Sequence, residues 1–165
     1  SYLDPALLFM MLPRRVHLMA WDKLFKLPLV TLFMEWGGAF PVKLGGSGRE
    51  AVANTLGLLK AERCVGIFPE GGRSDADGAM RPFLSGPATM AVREGAPLLP
   101  ITINGAHRLW PRGRRIPRVG GPVHLICHPL IVPPEHGSRA AKGPLPDALT
   151  ARLRATIASA YEGPR

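Results

Sequence analysis

Short apolar runs that alternate with helix-patterned segments constrain this chain more than any other feature. Residues 64–68 (Cys-Val-Gly-Ile-Phe) form a continuous apolar run closed by Pro69. A run that short, ended by a turn signal, reads as a buried strand. Residues 98–103 and 123–128 read the same way, and residues 39–44 form a shorter strand candidate. Between them lie helix signatures. Asp4-Pro5 sets an N-cap before a proline at the first helical position. Ser47-Gly48-Arg49-Glu50 has the form of a capping box, and the helix it opens carries Val52, Leu56 and Leu59 on one face. Ser85-Gly86-Pro87 opens another helix, which stops near Gly95. A last one steps through Leu149, Leu153, Ile157 and Tyr161, with Asp147 near its start and Gly163-Pro164 past its end. Strands interleaved with helices predict an α/β fold. The expectation is a single layered domain over residues 1–165, with a mixed, mostly parallel sheet flanked by helices. The Pro/Gly-rich stretch 133–146 is expected to tether the C-terminal helix, at about 146–161, to the rest.

The chain is 46% hydrophobic, yet its apolar runs are short. Prolines interrupt residues 5–13, and residues 29–34 are too few to span a bilayer, which needs roughly 18 uninterrupted apolar positions. Residues 21–36 are apolar with sparse charges, and Pro28 is expected to kink or split them. For the wider apolar segment, residues 18–40, core packing and a position in a membrane interface both fit. The net charge is +9, from 21 Lys and Arg against 12 Asp and Glu. Such a balance favours anionic partners, whether nucleic acid, anionic lipid, phosphorylated substrates or acidic carrier proteins. Arg108, Arg112, Arg114, Arg115 and Arg118 cluster around Trp110. They read either as a solvated basic loop or as a patch that meets anionic headgroups. Cys64 and Cys127 are expected to be buried free thiols in a reducing setting. The histidines (His17, His107, His124, His128, His136) are scattered, and no third ligand stands near His124 and His128, so no metal site is expected. The chain has neither a phosphate-loop nor a dinucleotide fingerprint, and no Gly-x-Ser-x-Gly elbow.

The densest chemical signal is Phe68-Pro69-Glu70-Gly71-Gly72-Arg73-Ser74. A strand end delivers a carboxylate and a guanidinium to a Gly-Gly turn, and strand ends in α/β sheets are where ligands gather. Glycines let a phosphate or glycerol approach the backbone. Arg73 offers a planar fork for a phosphate, and Glu70 can accept from a substrate hydroxyl or hold Arg73. A surface turn with a local Glu–Arg pair fits the same spacing.

That heptapeptide resembles the third signature block of the glycerolipid acyltransferases, the 1-acylglycerol-3-phosphate acyltransferase family. Ser1-Tyr2-Leu3-Asp4-Pro5 is similar to the end of the first block, Asn-His-x-Ser-x-x-Asp-Pro. Gly38-Ala39-Phe40-Pro41-Val42 resembles the second block, and Pro97-Leu98-Leu99-Pro100-Ile101 the fourth. Phe83 and Gly86 match the segment after the third block. The four blocks keep their order over residues 1–105.

The resemblance implies an acyl transfer. A general-base His deprotonates the acceptor hydroxyl, which attacks an acyl thioester directly, while the motif Asp orients the imidazole. Asp4 matches that Asp, and the His position falls ahead of Ser1. The chain is therefore expected to be N-terminally incomplete, and nearly inactive by itself. The resemblance makes Glu70, Gly71, Gly72, Arg73, Ser74 and Lys43 the acceptor-binding positions. Three departures stand out: Gly72 where Thr is usual, Leu44 where the second block usually ends in Arg (with Lys43 adjacent), and Ser85 near a common Lys. The implied co-substrate is acyl-CoA or acyl-carrier protein, with no further cofactor. The implied acceptor is a lysophospholipid, and the implied place is the cytoplasmic face of a membrane, either peripheral or anchored by upstream residues. Two other readings stay open: a catalytically incomplete lipid-binding relative, and a basic nucleic-acid-binding module.

Overall fold

The computed structural model describes residues 3–21, 37–42, 48–72, 79–110, 118 and 120–163. The chain divides into two compact units, one of Leu8–Phe68 and one of Ser1–Leu7 with Pro69–Arg165.

In the first unit, β1 (Val16–Trp21) is the middle strand of a three-stranded parallel sheet. It pairs with β2 (Phe40–Val42) from Met19↔Phe40 to Trp21↔Val42, and with β3 (Cys64–Gly66) from Val16↔Cys64 to Leu18↔Gly66. Parallel neighbours need long crossovers, and α2 (Arg49–Lys60) carries the chain from β2 to β3. Leu18 is fully buried and Val16 nearly so. Both crowd Gly66: a Cβ there would run into Leu18 Cδ2, with Val16 Cγ1 at 2.9 Å. The glycine is what lets the side chains of β1 fold over β3. On the other face of β1, His17 Nδ1 donates to Gly38 O at 3.0 Å.

Several expectations change here. The residues 64–68 run becomes an edge strand of three residues, and Cys64 is exposed. Cys127 is exposed as well, so the two thiols are not core groups. The cap of α2 is Gly48, in the left-handed region at φ 61, with no side-chain cap bond. Glu50 thus falls at the second helical position, and Ser47 lies outside the described residues. The buried face of α2 is Ala51, Thr55 and Leu56, while Val52 is exposed. Residues 22–36, including the Pro28 kink, also lie outside the described residues.

In the second unit, α3 (Gly86–Glu94) starts after Ser85 and stops at Gly95, φ 67, as the sequence predicts. The strand β4 (Ile101–Asn104) pairs antiparallel with β5 (His124–Cys127). An isolated bridge, Leu98↔Ile131, extends the pair. Between that bridge and the Ile101↔Cys127 pair lie two residues on one strand and three on the other. The second strand therefore bulges at residues 128–130, where Pro129 has no N–H to offer a ladder. A short helix, α4 (Ala106–Leu109), follows β4 directly. The 133–146 tether contains a 3₁₀ turn, Ala140–Lys142, and α5 (Leu145–Ala158) ends the unit.

The core here is Ala88 and Val92 of α3, Ile131, and Leu149 and Leu153 of α5, with Phe83, Leu98, Ala140 and Ala141 packed around it. Side chains four apart share a helix face, which is why Ala88 pairs with Val92 and Leu149 with Leu153. Polar strand residues hold the end of α5. Thr102 Oγ1 donates to Ile157 O at 3.0 Å, and Asn104 Nδ2 donates to Ala160 O at 2.8 Å. Glu162 N donates back to Asn104 Oδ1 at 3.1 Å. A hydroxyl has one proton to give. With that proton on Ile157 O, the 2.8 Å contact between Thr102 Oγ1 and His128 Nε2 requires His128 to be the donor.

The described strands thus fall into a parallel group of three and an antiparallel pair. Among the described residues, no helix is long and apolar enough to cross a membrane.

Candidate active site

Asp4 opens α1 (Asp4–Met11). Leu7 N donates to Leu3 O at 2.9 Å, so Leu3 takes the cap role and Asp4 and Pro5 are the first two helical residues. The expected helix start is displaced by one residue. Asp4 lies in the first turn, where the exposed N–H groups favour a carboxylate.

Glu70 lies four residues past β3, in the turn that Pro69 begins. Two hydrogen bonds close the loop it opens. Leu84 N donates to Pro69 O at 2.8 Å, and Arg81 N donates to Glu70 Oε2 at 2.9 Å. Gly71 has φ 63, a conformation that side-chain-bearing residues adopt only with strain. Burial raises Glu70 above the ordinary carboxylate value of 4.5, the Arg81 N–H bond pulls it back, and the Asp4 carboxylate adds a smaller upward push. Asp4 and Glu70 belong to the same unit and feel each other's charge.

Two residues outside the expected set are linked to them electrostatically, His107 to Asp4 and Arg81 to Glu70. The first is His107, set aside above as one of five scattered histidines. It sits on α4 at the end of β4, and burial lowers it below 6.5, Arg108 lowers it further, and Asp4 opposes both. A histidine just after a strand end was the available signal. The second is Arg81. Its Nη1 lies 2.8 Å from where a Cβ on Gly72 would stand, so its guanidinium occupies the space beside the Gly-Gly turn. The sequence places it eleven residues from Glu70, and only the closure of the loop brings the two together. Of the other expected site residues, Gly71 and Gly72 are exposed on the turn, whereas Lys43, Arg73 and Ser74 lie outside the described residues. No group of three or more His, Cys, Asp or Glu able to hold a metal occurs among the described residues.

The family model described as Acyltransferase matches residues 1–104, and the chain belongs to that family. It is 33% identical over 116 residues to the 1-acyl-sn-glycerol-3-phosphate acyltransferase of Bacillus subtilis (strain 168), a match covering 68% of this chain and 57% of that protein. It is 31% identical over 141 residues to the chloroplastic 1-acyl-sn-glycerol-3-phosphate acyltransferase LPAT1 of Arabidopsis thaliana, covering 84% of this chain and 36% of the plant protein. The chain thus spans between about a third and three-fifths of the length of these relatives. The crystal structure of the 1-acyl-sn-glycerophosphate (LPA) acyltransferase PlsC from Thermotoga maritima superposes with a TM-score of 0.71 over 95% of this chain and 59% of that one, at 24% identity. That likeness bears out the α/β acyltransferase-like fold expected from the motifs.

Proposed function

We propose that this chain carries the acceptor side of an acyltransferase that moves a fatty acyl group from an acyl thioester, acyl-CoA or acyl-carrier protein, to the free hydroxyl of 1-acylglycerol-3-phosphate. The observation that carries the reading is the Glu70 turn: a half-buried carboxylate held by the Arg81 N–H, in the field of Asp4, followed by two glycines against which Leu84 and Arg81 pack. The names of its relatives support the same acceptor. Asp4 is the residue that orients the motif histidine and steadies its charged form, as the carboxylate of a triad does. Glu70, Gly71, Gly72, Arg73, Ser74 and Lys43 form the acceptor-binding set. The product, a diacylglycerol phosphate, feeds phospholipid synthesis. Its insoluble substrates call for peripheral contact with a membrane.

The test uses a protein that carries a histidine at the family position five residues ahead of Asp4. Transfer of labelled acyl groups to lysophosphatidate is the readout. Replacing that histidine removes a general base and is expected to lower turnover by about a hundred- to ten-thousand-fold. Asp4→Asn is expected to lower it by about a hundredfold or more with the acceptor KM little changed, because a misoriented base impairs chemistry rather than binding. Full turnover in either variant refutes the mechanism. A protein with the histidine in place that binds lysophosphatidate but never turns over favours the lipid-binding alternative.

A further inference from the structure

The resemblance marks three departures from the family's pattern: Gly72, Leu44 and Ser85. The structure describes what happens at the first. A Cβ on Gly72 would stand 2.8 Å from Arg81 Nη1, tighter than atoms tolerate, so the guanidinium lies where a larger side chain would project. Arg81 reaches that place because its own backbone is fixed: its N–H bonds Glu70 Oε2 at 2.9 Å, and the following Leu84 N bonds Pro69 O at 2.8 Å. The side chain is exposed and has no carboxylate within ion-pair distance among the described residues. Its charge is felt at Glu70, though less strongly than the N–H bond. The turn therefore presents an exposed guanidinium beside Gly72, while the Leu84 side chain covers Gly71.

We propose that Arg81 is a specificity-determining residue that holds the acceptor's phosphomonoester, in the space that Gly72 vacates. The inference rests on the acyltransferase reading above. A guanidinium offers parallel N–H donors that match two phosphate oxygens, an arrangement a lysine cannot reproduce. Glycine at position 72 is then a requirement rather than a loss: any side chain there displaces the fork. Because the displaced atom is the tip of a flexible side chain, such a substitution moves Arg81 without disrupting the fold.

The experiment measures equilibrium binding of lysophosphatidate and of monoacylglycerol, which lacks the phosphate, in detergent micelles. The 165-residue chain is compared with Arg81→Ala, Arg81→Lys and Gly72→Thr, each first shown to melt like the parent. The parent is expected to prefer lysophosphatidate. Arg81→Ala and Gly72→Thr are each expected to weaken that ligand by about tenfold, the worth of a charge-assisted hydrogen bond. Arg81→Lys is expected to recover part of the loss, and monoacylglycerol binding should stay unchanged in the two Arg81 variants. The proposal is overturned if Arg81→Ala binds lysophosphatidate like the parent, if both lipids weaken equally, or if the parent shows no preference for the phosphate. Acyl transfer by the histidine-bearing protein that is insensitive to Arg81→Ala would remove Arg81 and leave the acyltransferase reading standing.

Discussion

The Glu70 carboxyl is asked to be ionised where burial opposes ionisation. Its folded pKa is raised above 4.5, first by burial and, in smaller part, by Asp4, against the pull of the Arg81 N–H. The sign of the resulting pH dependence follows. Below 4.5 the group is protonated in the folded and the unfolded chain alike, and burying it carries no charge penalty. As pH climbs through the raised folded value, the unfolded chain has already lost its proton, so stability present at low pH is lost. Glu70→Gln is neutral at every pH. It is expected to melt close to the parent at pH 4 and above it at pH 8, with the gap opening between them. A Tm difference that stays flat, or that favours the parent at high pH, would show that the Arg81 hydrogen bond outweighs burial. The same substitution is expected to lower acyl transfer, because an amide accepts a substrate hydroxyl proton more weakly than a carboxylate. A stabilised but impaired variant is the pattern of a residue kept for function.

The elements around this turn were unevenly legible. The helix α3 could be read to the residue, because Ser85 and Pro87 open it and Gly95 closes it. The last helix was legible from its leucines, yet its fastening was not. Thr102 sits inside the apolar run 98–103 and Asn104 just past it, and both are buried with 1% exposure. What they do depends on the end of α5, more than fifty residues away. No local pattern encodes that pairing. The strand β1 was missed for a different reason. Its residues Leu18 and Met19 favour helices as readily as strands, and pairing between β2 and β3, with Leu18 buried, overrides that preference. The capping box failed because Gly48, in the left-handed region, already begins the helix. The Thr102–Asn104 pair supplies a test of the fastening. Helix ends leave carbonyls without intrahelical partners, and Asn104→Ala strands Ala160 O and Glu162 N together. A loss of about 2–4 kcal/mol is expected in denaturant titrations, and about 1–3 kcal/mol for Thr102→Val. The double variant should lose less than the sum, since both side chains hold the same end of α5.

At the scale of the whole chain, the motif residues around the turn could be read from sequence by resemblance, whereas the cations nearest the lipid could not be chosen from 21 candidates. Charge without geometry names only a sign. The net charge of +9 suits an anionic membrane and a nucleic acid equally well, and Arg108 and Arg118 are exposed to meet either. The acyltransferase reading separates them, because its substrates live in a bilayer. The chain is expected to sediment with vesicles of mixed phosphatidylglycerol and phosphatidylcholine and to stay in solution with phosphatidylcholine alone. Raising salt from about 0.1 M to 1 M shortens the Debye length from about 10 Å to about 3 Å, and the bound fraction should fall accordingly. Arg108→Glu with Arg118→Glu should lower it further at low salt, each basic residue at an anionic surface contributing about 1 kcal/mol. Single-stranded DNA is the decisive competitor. It carries a denser line of charge than the vesicle surface, so a basic module built for nucleic acid would leave the membrane for it, with affinity falling steeply as salt rises. On the acyltransferase reading the chain should remain with the vesicles when DNA phosphate is present in equal amount.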